Sequence, residues 1–484
     1  MADKIKQKMI GTLAWTSVDR FGQQIVQFIV SVILARLLSP NEYTLIALVM
    51  IFVTLSNTLV ESGFGFALLR KQNANETDFN SVFYFNIFVS ILLYVVLYFL
   101  TPLIAEFYHL PELVKIARIV FIAIFINAFY LVPNVLLLRE LNIKKTAIIN
   151  ILAVFLSGLT GVVLALSKNG VWALVFQQIT FPFFRVIIIS FYVNWKPKLI
   201  FSLKVIKEFF GYSVNLLGTS LLNNIFSYIY VLVLGRFFPK QEVGFYYQAN
   251  KLNEATNFSF QVILGSTYNV FVKIQEDTDR FRRIFRELVR KSSIVILPLL
   301  FMLIAIANPL INVLLTSKWS MSIPYFQLLC IASLSNPLYA LIISALNARG
   351  KSKTTFNIEI VKKALVIASV VICIQFGIIE LLVGFAIANW ISTIISVFAI
   401  KKEIQHFWKH QLSDILPSLF IGLIIAIASL SLMQIIHIKL LLLILQILIS
   451  AIIYVISVRY IYPALYKSVI NQITSKIALW KEKR

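Results

Sequence analysis

The chain has 484 residues, of which 59% are hydrophobic and 13% charged. Soluble globular chains average roughly 45–50% apolar and about 25% charged. A mean hydropathy of +0.86 therefore excludes a soluble enzyme or a string of soluble domains, whose surface would be one large apolar patch. The net charge of +23 suggests nucleic acid in a soluble chain. In a membrane protein it reads as cytoplasmic loop charge, and no nucleic-acid partner is expected.

The N-terminus opens on Lys4, Lys6 and Lys8 ahead of an apolar stretch, as a signal peptide would. Asp19, Arg20, Gln23 and Gln24 interrupt that stretch and no small-residue cleavage site follows, so it reads as an uncleaved first helix. Crossing about 30 Å of hydrocarbon takes roughly 20 mostly apolar helical residues. At that window the chain offers fourteen spans: 10–35, 43–69, 81–104, 113–138, 146–166, 171–193, 209–234, 242–271, 291–315, 322–347, 355–376, 379–400, 413–436 and 439–462. The first, seventh and eighth are polar for membrane helices. Between the eighth and ninth lies KIQEDTDRFRRIFRELVRK, with Phe281, Ile284, Phe285 and Leu288 at helical spacing. It reads as a basic amphipathic helix, suited either to the inner leaflet or to a plain connector.

An even number of spans places both termini on one side. With both in the cytoplasm, 33 of the 44 Lys and Arg residues fall in inner segments or the span ends next to them, and 8 in outer loops or the span ends next to those. That split sets the orientation by the positive-inside rule and points to a multi-pass plasma-membrane protein. Cys330 and Cys373 sit in apolar runs and read as small hydrophobes. The four histidines have no metal-site spacing, so no metal or cofactor is expected.

The chain resembles itself at a shift of 200 residues. Gly11 meets Gly211, Gln23 and Gln24 meet Asn223 and Asn224, Leu34 meets Leu234, Arg36 meets Arg236 and Glu42 meets Glu242. Six spans separate the copies, so they share one orientation, as in a parallel transporter repeat. The expected architecture is all-α: residues 1–200 as one six-helix bundle, 201–402 as a second, and 403–484 as an added helix pair with a cytoplasmic tail.

Polar residues cluster on single faces of a few spans. Asp19, Gln23, Gln27 and Ser31 share a face of span one; Ser213, Ser220, Asn223 and Ser227 one of span seven; Asn250, Glu254, Asn257 and Gln261 one of span eight, beside Lys251. Glu61 precedes Gly63 and Gly65 in span two, and Arg185 follows Pro182 in span six. Intramembrane ionisable groups face bundle interiors or watery cavities. The expected lining of a central cavity is Asp19, Arg20, Gln23, Glu61, Arg185, Asn223, Asn250, Lys251, Glu254 and Asn257. The amides are also suited to ordinary helix–helix hydrogen bonds. The sequence holds no catalytic constellation and no Gly-rich phosphate loop. Short outer loops speak against a glycosyltransferase or polymerase. Movement would draw on a Na+ or H+ gradient, the membrane potential or the substrate gradient.

LLSPNEYTLIALVMIF (37–52), VESGFGFALLRK (60–71), TDFNSVFYFNI (77–87), LGRFFPKQEVGFYYQANKL (234–252), KWSMSIPYFQLL (318–329) and LNARGKSKTT (346–355) resemble the polysaccharide and lipopolysaccharide exporters. These belong to the multidrug/oligosaccharidyl-lipid/polysaccharide flippase superfamily. The resemblance runs over about residues 8–400 and departs at Thr44, where the family usually has glycine; Gly244 keeps it in the second repeat. It implies fourteen helices in two lobes about a V-shaped cavity. It implies flipping of an undecaprenyl-pyrophosphate-linked oligosaccharide for capsule, O-antigen or another surface glycan. Membrane lipids, a glycan polymerase and assembly proteins would be its partners, and Arg20, Arg185 and Lys251 candidates for the pyrophosphate. The mixed signs of the intramembrane charges favour an anionic substrate over the cations of a multidrug exporter on the same fold.

Overall fold

The computed structural model describes residues 2–61, 63–405, 408–463, 467 and 474; the side chains of 2–10, 13, 212, 215–216 and 257–266 lie outside that description. Among the described residues the chain is all-helical, with seventeen α-helices and no strand. Twelve stretches among them are long and apolar enough to cross a membrane.

In chain order the first helices are α1 (Ala2–Leu37), α2 (Pro40–Glu61), α3 (Phe64–Arg70), α4 (Glu76–Phe107), α5 (Leu113–Val120), α6 (Ile122–Arg139), α7 (Ile143–Leu166) and α8 (Val171–Ser190). The second run is α9 (Leu203–Phe237), α10 (Lys240–Lys273), α11 (Thr278–Leu315), α12 (Ser322–Ser333), α13 (Asn336–Ala348), α14 (Ser352–Cys373) and α15 (Ile378–Ile404). A final pair, α16 (Trp408–Leu432) and α17 (Lys439–Ile461), follows. All fourteen expected spans are helical, three of them as broken helices: α2–α3, α5–α6 and α12–α13. The eighth and eleventh, α10 and α14, carry the most charge, with Lys251 and Glu254 in one and Glu359, Lys362 and Lys363 in the other. The repeat is visible in helix ends: α1 stops at Leu37 and α9 at Phe237, α2 starts at Pro40 and α10 at Lys240.

The chain forms two compact units, Met1–Gln248 and Ala249–Arg484. In the first, α9 packs along α2, α3 and α4. Phe64, Leu68, Phe83, Val132, Ile206 and Phe209 form an apolar cluster at the end where Arg70 and Arg139 lie. Arg139 fixes that end by donating to the carbonyls of Leu68 (2.6 Å), Lys71 (2.7 Å) and Gln72 (2.8 Å), which are free once α3 stops. Helix α4 begins with a capping box, Asn75 accepting from Asp78 N and Asp78 from Asn75 N, both at 2.9 Å.

In the second unit the basic amphipathic segment is the first part of α11, capped by Asp277. Its apolar face meets protein: Phe281 and Phe285 are fully buried beside Phe271, Ile342, Leu346 and Ile400, with Ile284 and Leu288 packed against them. The connector reading therefore fits, since a leaflet-bound helix would present that face to lipid. Elsewhere large apolar side chains point outward, among them Phe99 at 72% and Ile427 at 68% exposure. Water would penalise such a surface; lipid does not.

Candidate functional site

Three helices of the first unit lose regularity at neighbouring places. α6 contains Pro133 and α8 contains Pro182, each removing a backbone donor from the helix interior. Between α2 and α3 the chain turns at Gly63 with φ +96°. A side chain is excluded there twice: by the left-handed backbone, and because a Cβ would lie 2.1 Å from Ser213 Cβ on α9. Broken helices inside a membrane fold are tolerated where they line a cavity.

A cavity of about 520 Å³ lies at this place, walled by α2, α3, α6, α8 and α9. Its polar lining is Thr58, Glu61, Tyr130, Asn134, Arg185, Ser220, Asn223 and Asn224. The Arg185 guanidinium carbon lies over the Tyr130 ring, 3.6 Å from its centroid, with the Phe181 centroid at 5.3 Å. Among the described residues no carboxylate pairs with it, and its buried Nε has no hydrogen-bond partner. Stacking on an aromatic face holds the cation but leaves its in-plane donors for a ligand.

Two hydrogen-bonded sets flank this cation. Tyr130 Oη donates toward Asn134 Oδ1 at 3.1 Å and lies 3.4 Å from Asn150 Oδ1 on α7. Asn150 Nδ2 reaches both Asp19 oxygens at 3.3 Å, and Gln23 Nε2 donates to Asp19 at 2.7 Å. In the other set, Asn127 Nδ2 donates to Glu61 Oε1 and faces Asn57 Oδ1 at 3.3 Å. Asn224 Nδ2 donates to Thr58 Oγ1 at 2.7 Å, joining α9 to α2.

The expected site residues fall into separate places. Glu61, Arg185 and Asn223 line the cavity. Asp19 and Gln23 reach its wall through Asn150 and Tyr130. Arg20 is exposed, one residue on from Asp19 and so about 100° round the helix. Asn250 and Glu254 belong to the second unit, where Asn250 Nδ2 donates to Glu254 at 2.8 Å, with half-buried Lys251 beside them. The Asn257 side chain lies outside the described residues. Sequence reasoning passed over Asn57, Asn127, Tyr130, Asn134 and Asn150. The signal was present: Asn127, Tyr130 and Asn134 repeat at three and four residues, one face of a helix.

A polar cavity with a stacked cation among long apolar helices is the arrangement of a membrane transporter. A solved structure of the lipid II flippase MurJ in an inward closed conformation is similar in fold, with a TM-score of 0.76 at 18% identity, covering 93% of this chain and 99% of that one. The family described as polysaccharide biosynthesis protein matches residues 33–324, more than half of the chain, and the chain belongs to it. Similar proteins include the teichuronic acid biosynthesis protein TuaB of Bacillus subtilis (strain 168), 23% identical over 88% of this chain and 90% of that protein. The lipopolysaccharide biosynthesis protein WzxC of Escherichia coli (strain K12) is 24% identical over 83% of this chain and 82% of its own length.

Proposed function

We propose that this protein is a flippase moving polyprenyl-pyrophosphate-linked oligosaccharide units from the inner to the outer leaflet of the plasma membrane by alternating access. The observation that carries the reading is Arg185. An unpaired cation inside a membrane fold is costly, and a polyanionic head group is the partner that would offset the cost. The amides and hydroxyls of Thr58, Asn134, Asn223 and Asn224 suit sugar hydroxyls. The lipid tail remains in hydrocarbon throughout, so only the head group needs the cavity.

Similarity to TuaB, WzxC and MurJ supports the same reading. The protein would act between the enzymes that complete a lipid-linked unit and the polymerase and assembly proteins that consume it. Both termini would lie in the cytoplasm, and a Na+ or H+ gradient or the membrane potential would drive the cycle.

The test is the lipid-linked glycan pool of a deletion strain, measured by mass spectrometry of extracted polyprenyl lipids and by lectin access to each leaflet. Full-length units accumulating on the inner face support export. Truncated units would assign the protein to assembly, and an unchanged pool would leave a small-molecule exporter on the same scaffold.

A further inference from the structure

The 200-residue shift has a geometric counterpart within the first unit. Positions 44 and 244 are equivalent under it, as are 40 and 240, and each position is the first or second turn of α2 or α10. Thr44 Oγ1 has two carbonyls in reach, that of Pro40 in its own helix at 3.1 Å and that of Lys240 at 2.5 Å, and its one proton serves the nearer. In the mirrored contact, Gly244 lies so close to Pro40 that a Cβ there would stand 2.1 Å from the Pro40 carbonyl oxygen and 3.0 Å from Thr44 Oγ1. Residue 44 thus meets the carbonyl of 240, and residue 244 meets the carbonyl of 40. The two contacts are reciprocal under the repeat, the second turn of each helix meeting the first turn of the other.

The crossing is reinforced around its rim. The Tyr43 and Tyr247 rings lie 6.5 Å apart, and those of Tyr230 and Tyr246 6.4 Å. Gly235 admits Leu48 and Tyr108, which a Cβ would meet at 2.4 and 2.8 Å. Arg236 donates to the Phe107 carbonyl at 2.9 Å and Lys240 pairs with Glu112 at 3.3 Å. All of these residues lie at the end remote from Arg70 and Arg139, the outer end in the orientation proposed above.

We propose that the α2–α10 crossing is the outer latch of the transport cycle, and that Thr44 is the residue that locks it. Glycine at both positions would let the helices touch without any bond between them. Threonine in one position adds a hydroxyl that reaches the second lone pair of a first-turn carbonyl. The helices then hold their closed crossing by a directed bond as well as by contact. Release of cargo outward requires that bond to break, so Thr44 sets the balance between outward-closed and outward-open states. The placement of the latch on the outer face rests on the orientation in the flippase reading; the bond itself does not.

The test uses the full chain with Cys330→Ala and Cys373→Ala and one reporter cysteine, Ser220→Cys, in the cavity lining. Intact cells are treated with a membrane-impermeant maleimide and the labelling rate is measured. Thr44→Val keeps the shape and removes the hydroxyl, and should raise the rate about fivefold, the population shift expected for one hydrogen bond. Thr44→Ser should label as slowly as the parent. Gly244→Ala, which wedges the crossing apart, should label faster than Thr44→Val. Parental labelling of Thr44→Val at parental expression overturns the proposal, whether or not Gly244→Ala accumulates. Rapid labelling of the parent also overturns it. Because the readout needs no glycan, a failed latch leaves the flippase assignment standing, and an unchanged lipid-linked pool leaves the latch standing.

Discussion

Two places in this protein hold arginines against the low-dielectric interior, and they do so in opposite ways. In the second unit Asp414 of α16 is fully buried and takes Arg286 at 2.9 Å through two parallel bonds and Arg290 Nε at 2.7 Å. In the first unit Arg185 rests on Tyr130 with no carboxylate partner among the described residues. The paired arginines close a structure, tying α16 to the first part of α11. The stacked arginine leaves its donors open. Charge that is satisfied internally builds the fold, and charge held but unsatisfied is available to a passing ligand.

Breaking the closed cluster should give the largest effect. Asp414→Ala removes the carboxylate and leaves two guanidiniums side by side. The cost is about 3 kcal/mol of stability, at the low end for a buried pair because Arg286 and Arg290 are partly solvated. Thermal aggregation of the detergent-solubilised protein measures it. An unchanged midpoint would mean that α16 is held by apolar packing alone.

Arg185→Ala should do the reverse. Fold stability stays near the parent's, since no pair is broken, while export falls by about ten- to a hundredfold through loss of charge-assisted hydrogen bonds to the head group. Arg185→Lys keeps the charge but loses the planar stack, and should recover only part of the activity. Surface glycan at equal expression is the readout. Full glycan display in both variants would remove Arg185 from the transport path.

Gly63→Ala sharpens the contrast from the backbone side. The left-handed φ costs about 1–3 kcal/mol for a residue with a side chain, and the Cβ also strikes Ser213. Adding Ser213→Gly should restore part of the loss, because the backbone strain survives. A full rescue would show that the clash alone had mattered.

The two regions were unequally legible in the sequence. The helical spans and their ends need only composition and spacing, which hydropathy and a self-comparison supply. Helix ends at 37 and 237, and at 40 and 240, follow the shift seen in the residues. The cavity was harder to see. Arg185 and Glu61 stood out because charge is rare in an apolar span. Asn127, Tyr130 and Asn150 did not, since an uncharged amide in a membrane helix looks like any interhelical hydrogen bond. Only the packing of α6 and α7 beside α2 and α8 joins Tyr130 to Arg185 and Asn150 to Asp19. Asp414 was hidden for the opposite reason, as its partners lie over a hundred residues away on the polar side of a basic amphipathic helix.

The smallest effect belongs to an ion pair of the first unit that joins three of its helices. Lys71, between α3 and α4, donates to Asp78 at 3.0 Å and reaches Glu208 of α9 at 3.4 Å. The bond to Asp78 holds its ammonium pKa above the ordinary 10.5, with Glu208 adding to the rise. A lysine raised in the folded state contributes stability that is whole below its unfolded pKa and lost as pH climbs through the folded one. The pair should therefore give a constant contribution from neutral pH to about pH 10, fading only above it. Lys71→Met should lower the thermal midpoint slightly across the neutral range and flatten its decline on the alkaline side. If the parent instead loses the same increment between neutrality and pH 9, the ammonium is not held by Asp78. The N-terminal end of α9 would then be fastened to α3 by the apolar cluster of Phe64 and Phe209 rather than by charge.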